Sequence, residues 1–163
     1  MKKLAIILFL LAVIFSATAC APKIESYIAP AEPLNIGNWK VTVVTSDGEK
    51  EFTSDDASKL GFVTLEATTK NKEGELSTSK YTGIYLSEIL NHAGVTDFSS
   101  LTIEAGDGFT AEYDKELALK ADTILAWEKD GNLLEGEHPL QMVPASGTGN
   151  QFVKMAARII VND

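Results

Sequence analysis

Cys20 is the only cysteine in a chain of 163 residues. Everything after it must fold without a disulfide and without a thiolate to hold a metal or attack a substrate. What precedes it has the form of an export signal. Lys2 and Lys3 make a short positive start, and an apolar run follows from Leu4 to Phe15. That run is about a dozen residues, against the roughly 20 that a bilayer-spanning helix needs. Ser16-Ala17-Thr18-Ala19 supplies small residues for a signal peptidase directly before Cys20. Ala17 stands where such sites more often carry Leu. The reading is a lipoprotein signal peptide over residues 1–19, with lipid on Cys20 holding the rest of the chain on a bacterial membrane, outside the cytoplasm.

Cleavage there leaves 144 residues, enough for one domain with a substantial core. The whole chain carries 14 basic and 23 acidic residues. Without Lys2 and Lys3 the balance is 12 against 23, a formal −11, which argues against nucleic acid and against docking on anionic lipid. His92 and His138 are the two histidines, 46 positions apart, and make no metal-ligand motif. Ser146 has a glycine neighbour but no nucleophile-elbow pattern around it. No catalytic residue and no metal site are expected from these patterns.

Pro22, Pro30 and Pro33 punctuate a stretch of little periodicity, so residues 20–38 read as a flexible tether and residues 39–163 as the folded domain. Trp39 to Val44 is rich in β-branched residues and closes on Ser46-Asp47-Gly48, a strand entering a turn. Thr53-Ser54-Asp55-Asp56 signals a helix start. A strand is expected over Gly61–Ala67, with a hairpin turn at Asn71–Gly74 and a return strand near Ser77 to Tyr81. Leu86, Ile89 and Leu90 lie at i, i+3 and i+4 before Gly94, which predicts a short helix with a glycine stop. His92 sits near its end as a cation suited to the helix dipole. Further strands are expected at 101–105, 109–113, 123–128 and 140–143, with a tight turn at Lys129–Asn132 and a final strand over 152–161. Asp107-Gly108 reads as a hairpin turn, and Trp39, Trp127, Tyr81 and Tyr113 as packing residues. The class is α+β, mostly β in mixed sheets with short helices.

The order of these segments resembles the oxidoreductase molybdopterin-binding domain, the catalytic fold of sulfite oxidases, in a short stand-alone form. The likeness is carried by Val63-Thr64-Leu65-Glu66-Ala67, then by Tyr81 through Val95. It continues with Ala105-Gly106-Asp107-Gly108-Phe109, Ile124-Leu125-Ala126-Trp127 with Asp130-Gly131, Pro139-Leu140-Gln141-Met142-Val143-Pro144, and Phe152 through Ile159. The resemblance implies a molybdopterin cofactor. It also implies a cysteine ligand where this chain has Ala67, and an arginine where it has Gln141. A methyl group cannot ligate molybdenum, and an amide supplies no fixed cation for an oxyanion substrate. Ala67 and Gln141 therefore mark a degenerate site.

What the resemblance leaves is a cofactor- or anion-binding candidate. Gly147, Thr148, Gly149 and Asn150 lead toward Lys154, and in the enzymes the corresponding loop and lysine lie against the phosphate end of the pterin. Glycines let backbone N–H groups approach a ligand, and the lysine adds charge. The competing reading is a turn before the last strand with Lys154 solvated. His138, before Pro139, lies on the loop that corresponds to the family's cofactor side. The favoured function is a membrane-tethered, non-catalytic module for a small anionic ligand or for a membrane redox or transport partner. The alternative is a molybdopterin-dependent oxidoreductase with an atypical metal site. Against that enzyme stands a signal with lysines only, since proteins loaded with this cofactor usually leave the cytoplasm folded, through a twin-arginine signal.

Overall fold

A computed structural model describes residues 35–70 and 73–163. The signal peptide, Cys20, nearly all of the expected tether, and Asn71 and Lys72 of the expected hairpin turn lie outside the described residues.

Strands dominate, as the alternating and β-branched runs predict. The first two, β1 (Lys40–Thr45) and β2 (Gly48–Thr53), form a hairpin, and α1 (Ser54–Leu60) follows. Its start is fixed chemically: the Thr53 hydroxyl accepts from the Asp56 N–H, and the Asp56 carboxylate accepts from the Thr53 N–H. Then come β3 (Val63–Lys70), β4 (Leu76–Tyr85) and α2 (Leu86–Ala93). Helix α2 turns Leu86, Ile89, Leu90 and Ala93 inward and ends at Gly94, whose φ of 80° is the left-handed stop that glycine adopts without strain. The strands β5 (Ser100–Ala105) and β6 (Thr110–Asp114) lead into the one-turn helix α3 (Lys115–Leu119), capped by the Asp114 carboxylate. The remainder is β7 (Thr123–Lys129), β8 (Asn132–Leu133), β9 (Gln141–Pro144), β10 (Val153–Lys154) and β11 (Ala156–Asn162).

Two sheets face each other. One runs β2-β1-β11-β5-β6 and is mixed, because β1 and β11 pair in parallel. The other runs β10-β9-β7-β4-β3 in antiparallel pairs, with β8 added beside β7. Between them lies the main core, which takes Val41, Val43, Leu101, Ile103, Tyr113 and Ile159 from the first sheet and Ile84, Leu125, Trp127 and Met142 from the second. Leu86, Ile89 and Leu90 of α2, Ala57 of α1 and Leu117 and Ala118 of α3 join the same core. Trp39 stacks on Trp127 at 5.6 Å, and Ile36 already belongs to this packing.

The expected single strand over 152–161 is a correction. Met155 has φ +53° and splits it into β10 and β11, so that each half joins a different sheet. An L-residue in the left-handed region interrupts a ladder whatever its β propensity. The strands β2 and β8 and the helix α3 had no clear signal. The Gly-Glu-Lys-Glu run of β2 is charged because it is a sheet edge, and α3 is too short for periodicity to show.

Candidate functional site

The face of the six-stranded sheet turned away from the main core carries a second apolar cluster: Val63, Leu65, Ala67, Tyr81, Ile124, Ala126 and Val143, with Tyr85, Ala145 and Phe152 against it. Strand pairing puts Lys154 beside Gln141, Gln141 beside Ala126, Ala126 beside Gly83 and Gly83 beside Val63. Directly paired residues share a face, so this row crosses the sheet on the side of the second cluster. Gln141 is 5% exposed and Ala67 is 3% exposed, whereas Lys154 is exposed at the outer strand. Ala67 stands four residues beyond Val63 on β3, about 13 Å along a strand rising roughly 3.3 Å per residue. It sits in an unbroken ladder with Ser79 as its partner, its methyl group within the apolar cluster. Ala67, Gln141 and Lys154 therefore share one face, and Ala67, expected from the resemblance to stand at the thiolate-ligand position, is buried in it.

Gly83 makes that face possible. A side chain there would place Cβ 2.3 Å from the Leu125 carbonyl oxygen, where β4 shifts register against β7. Only glycine permits the two backbones to run this close.

The Gly147–Asn150 loop is internally bonded. The Gly147 N–H donates to the Pro144 carbonyl at 2.8 Å, and the Thr148 N–H to the Gln151 side-chain oxygen at 2.8 Å. The Thr148 hydroxyl turns to Asn150 and Gln151, in a capping box that starts the 3₁₀ turn Gly149–Gln151. Two N–H groups that an anion would need are thus already engaged. The loop is tied down from the other sheet by Tyr113, whose hydroxyl donates to the Gln151 carbonyl. Burial pushes the Tyr113 phenol well above its ordinary range, so it stays a neutral donor. At its far side the loop meets the end of β3, since a Cβ on Gly149 would lie 3.5 Å from the Lys70 carbonyl oxygen. Lys154 is carried on β10, after the loop rather than within it.

His138 is elsewhere. Its imidazole packs on Gly106 so closely that a Cβ there would come within 2.1 Å of it. It lines a cleft of about 660 Å³ with Asn38, Trp39, Lys40, Asp55, Glu137 and Arg158 among its other walls. The strand pairing of Thr42 with Arg158 places the floor of this cleft on the five-stranded sheet. The expected residues thus fall into two groups: Ala67, Gln141, Lys154 and the loop with the six-stranded sheet, and His138 with the five-stranded one. Of the cleft residues only His138 carried a site signal; Arg158 and Lys40 are the cations among the others. The available hint was an arginine inside the largely apolar strand Ala156–Asn162. Among the described residues no group of three or more His, Cys, Asp or Glu is placed to hold a metal ion.

Comparison with known proteins agrees with the order of segments. The sulfite oxidase of Gallus gallus is 29% identical over 103 residues, an alignment covering 55% of this chain and 22% of that protein. The chain thus spans about a fifth of that relative's length. The profile of the oxidoreductase molybdopterin binding domain matches residues 30–163, most of the chain. On that match, the chain belongs to the oxidoreductase molybdopterin-binding domain family.

Proposed function

We propose that this chain uses the molybdopterin-binding framework as a non-redox binding module, tethered by lipid on Cys20 to the outer side of a bacterial membrane. The observation that carries the reading is Ala67. The family binds molybdopterin, but the position that corresponds to the metal ligand holds a methyl group at 3% exposure, packed in a ladder among Val63, Leu65 and Tyr81. These residues do not fit a protein-ligated molybdenum. Gln141, beside Ala126 on the same face, offers an amide rather than a fixed cation. The tether rests on the sequence: an apolar run too short to span a bilayer, small residues, and a lone cysteine at the cleavage point.

The test is the metal and pterin content of the full chain, exported by its own signal and extracted from the membrane in mild detergent. The expected result is a stably folded protein with molybdenum and oxidised-pterin fluorescence far below one per chain. Stoichiometric molybdenum with pterin would overturn the non-redox reading and restore an oxidoreductase with an atypical metal site. The same preparation tests the tether, because a Cys20→Ser variant should leave the membrane fraction.

A further inference from the structure

We propose that the cleft between the start of α1 and the His138 loop is a binding site for a small zwitterion of the α-amino-acid kind. Its floor comes from the five-stranded sheet and its walls from α1 and the His138 loop, so the inference stands apart from the fate of the face that carries Ala67.

The first observation is how polar groups are sorted by depth. The half-buried and buried lining consists of Thr42, Thr53, Ser54, Trp39, His138, Ala157 and Arg158. Apart from Trp39 and Ala157, these are hydroxyls, an imidazole and a guanidinium; the Thr53 hydroxyl already donates to the Asp56 carboxylate, which leaves Thr42, Ser54, His138 and Arg158 as inner donors. The exposed rim is made by Asn38, Lys40, Asp55 and Glu137. Inner donors suit a carboxylate, and outer carboxylates suit an ammonium group.

The second observation is a guanidinium held in place on the cleft wall. Arg158 Nη2 donates to Glu49 at 2.7 Å, and its Nε stands 3.7 Å from Glu104. The Nε is sealed from solvent, so a ligand meets the outer part of the side chain, which is 40% exposed. A carboxylate has two oxygens and can accept from this guanidinium beside the Thr42 and Ser54 hydroxyls.

The third is charge balance. Lys40 pairs with Glu51, and Arg158 with Glu49, all on the same sheet. Those acids stand outside the cleft lining, so Asp55 and Glu137 are not consumed by the two cations. A bare anion would meet repulsion at the rim, and a bare cation would meet Arg158 within. A molecule carrying both charges a few bonds apart meets neither penalty. The volume of about 660 Å³ admits an amino acid or dipeptide with room for a side chain.

The experiment is calorimetric titration of the full chain in detergent with L-alanine, L-alanyl-L-alanine, acetate and methylamine. At least one zwitterion should bind about tenfold or more tightly than acetate and methylamine, a gap of roughly 1.4 kcal/mol. Ala157→Leu, which fills the floor with an aliphatic side chain, should abolish that binding while the circular dichroism spectrum is retained. The double variant Asp55→Asn with Glu137→Gln should bring the zwitterion down to the level of acetate. Acetate binding as tightly as the zwitterions would overturn the proposal in favour of a plain anion site. So would heat from none of the four probes, or binding that Ala157→Leu leaves intact. None of these outcomes depends on molybdenum content, which tests the non-redox reading separately.

Discussion

The outer faces of the two sheets are built in opposite ways. On the six-stranded sheet the face away from the main core is apolar and closed: Val63, Leu65, Tyr81, Ile124, Ala126 and Val143 are all buried. On the five-stranded sheet the corresponding face carries Thr42, Val44, Thr102, Glu104, Arg158 and Ile160, all half-buried, and is laced by the Arg158 pairs to Glu49 and Glu104. Every residue from Thr123 to Trp127 in β7 is buried, because that strand is covered on both sides. In β1 the buried positions alternate. A continuous apolar run and an alternating one are the sequence counterparts of these two situations. The side that carries Ala67 and Gln141 is a second core, and the opposite side has an open polar cleft.

The largest effect should come from Gly83→Ala, which strikes the closed face at its tightest point. The new methyl would sit 2.3 Å from the Leu125 oxygen and 2.7 Å from the Ala126 Cα, both backbone atoms. Side-chain repacking cannot relieve such a collision, so a loss on the order of 3 kcal/mol or outright failure to fold is expected. Urea denaturation followed by circular dichroism measures it. A loss below about 1 kcal/mol would mean that β4 and β7 do not run together as described.

A paired substitution of middle size tests the contrast itself. Val143→Ala in the closed cluster should cost about 2 kcal/mol, since it opens a void where nothing collapses. Ile160→Ala removes more carbon from the half-buried opposite face, yet should cost only about 1 kcal/mol. Equal losses would show that the five-stranded face is covered in solution, and the comparison would fail.

Much of this was readable in the residues. The Thr53 cap, the Gly94 stop and the alternation of β1 each follow from local chemistry that the chain enforces on itself. The place of Ala67 in a strand was readable too, since the expected strand Gly61–Ala67 overlaps β3. Its burial was not, because a methyl group after a strand is compatible with an open cofactor wall or with a sealed core, and only the β3–β4 register decides. The separation of His138 from Lys154 was equally hidden. Sixteen residues apart in sequence, they part company because His138 precedes β9 and packs on Gly106, whereas Lys154 follows β9 on β10, paired with Gln141. Nor could composition show Arg158 as part of a cleft, since its neighbours there come from β1, α1 and the His138 loop.

The smallest effect concerns the wall of the open cleft. Asp56 is held below the usual carboxylate range, first by the hydrogen bond from the Thr53 hydroxyl and then by the Thr53 N–H. A depressed carboxylate stabilises the fold above its unfolded pKa, near 4, and that stability is lost as pH falls through the lower folded value. Asp56→Ala should therefore melt roughly 2 °C below the parent at pH 7. The gap should close on acidification below about pH 4. A gap unchanged at pH 3 would mean that Asp56 acts through packing rather than through its charge.

The parallel pairing of β1 with β11 has a kinetic consequence. Thr42 meets Arg158 near the two ends of the folded chain, and β11 lies between β1 and β5, in the middle of its sheet. A loop of more than a hundred residues must close before the first strand finds this partner. The β1–β2 hairpin can form as soon as it is exposed, but the five-stranded sheet stays split into two pairs until Ala156–Asn162 arrives. Non-local closure of this kind slows folding and keeps the intermediate open for as long as the chain's end is withheld. A chain threaded across a membrane from its N-terminus would remain unfolded and translocatable until its last strand emerged, and a product cut short before Ala156 would present two unpaired edges instead of a finished domain.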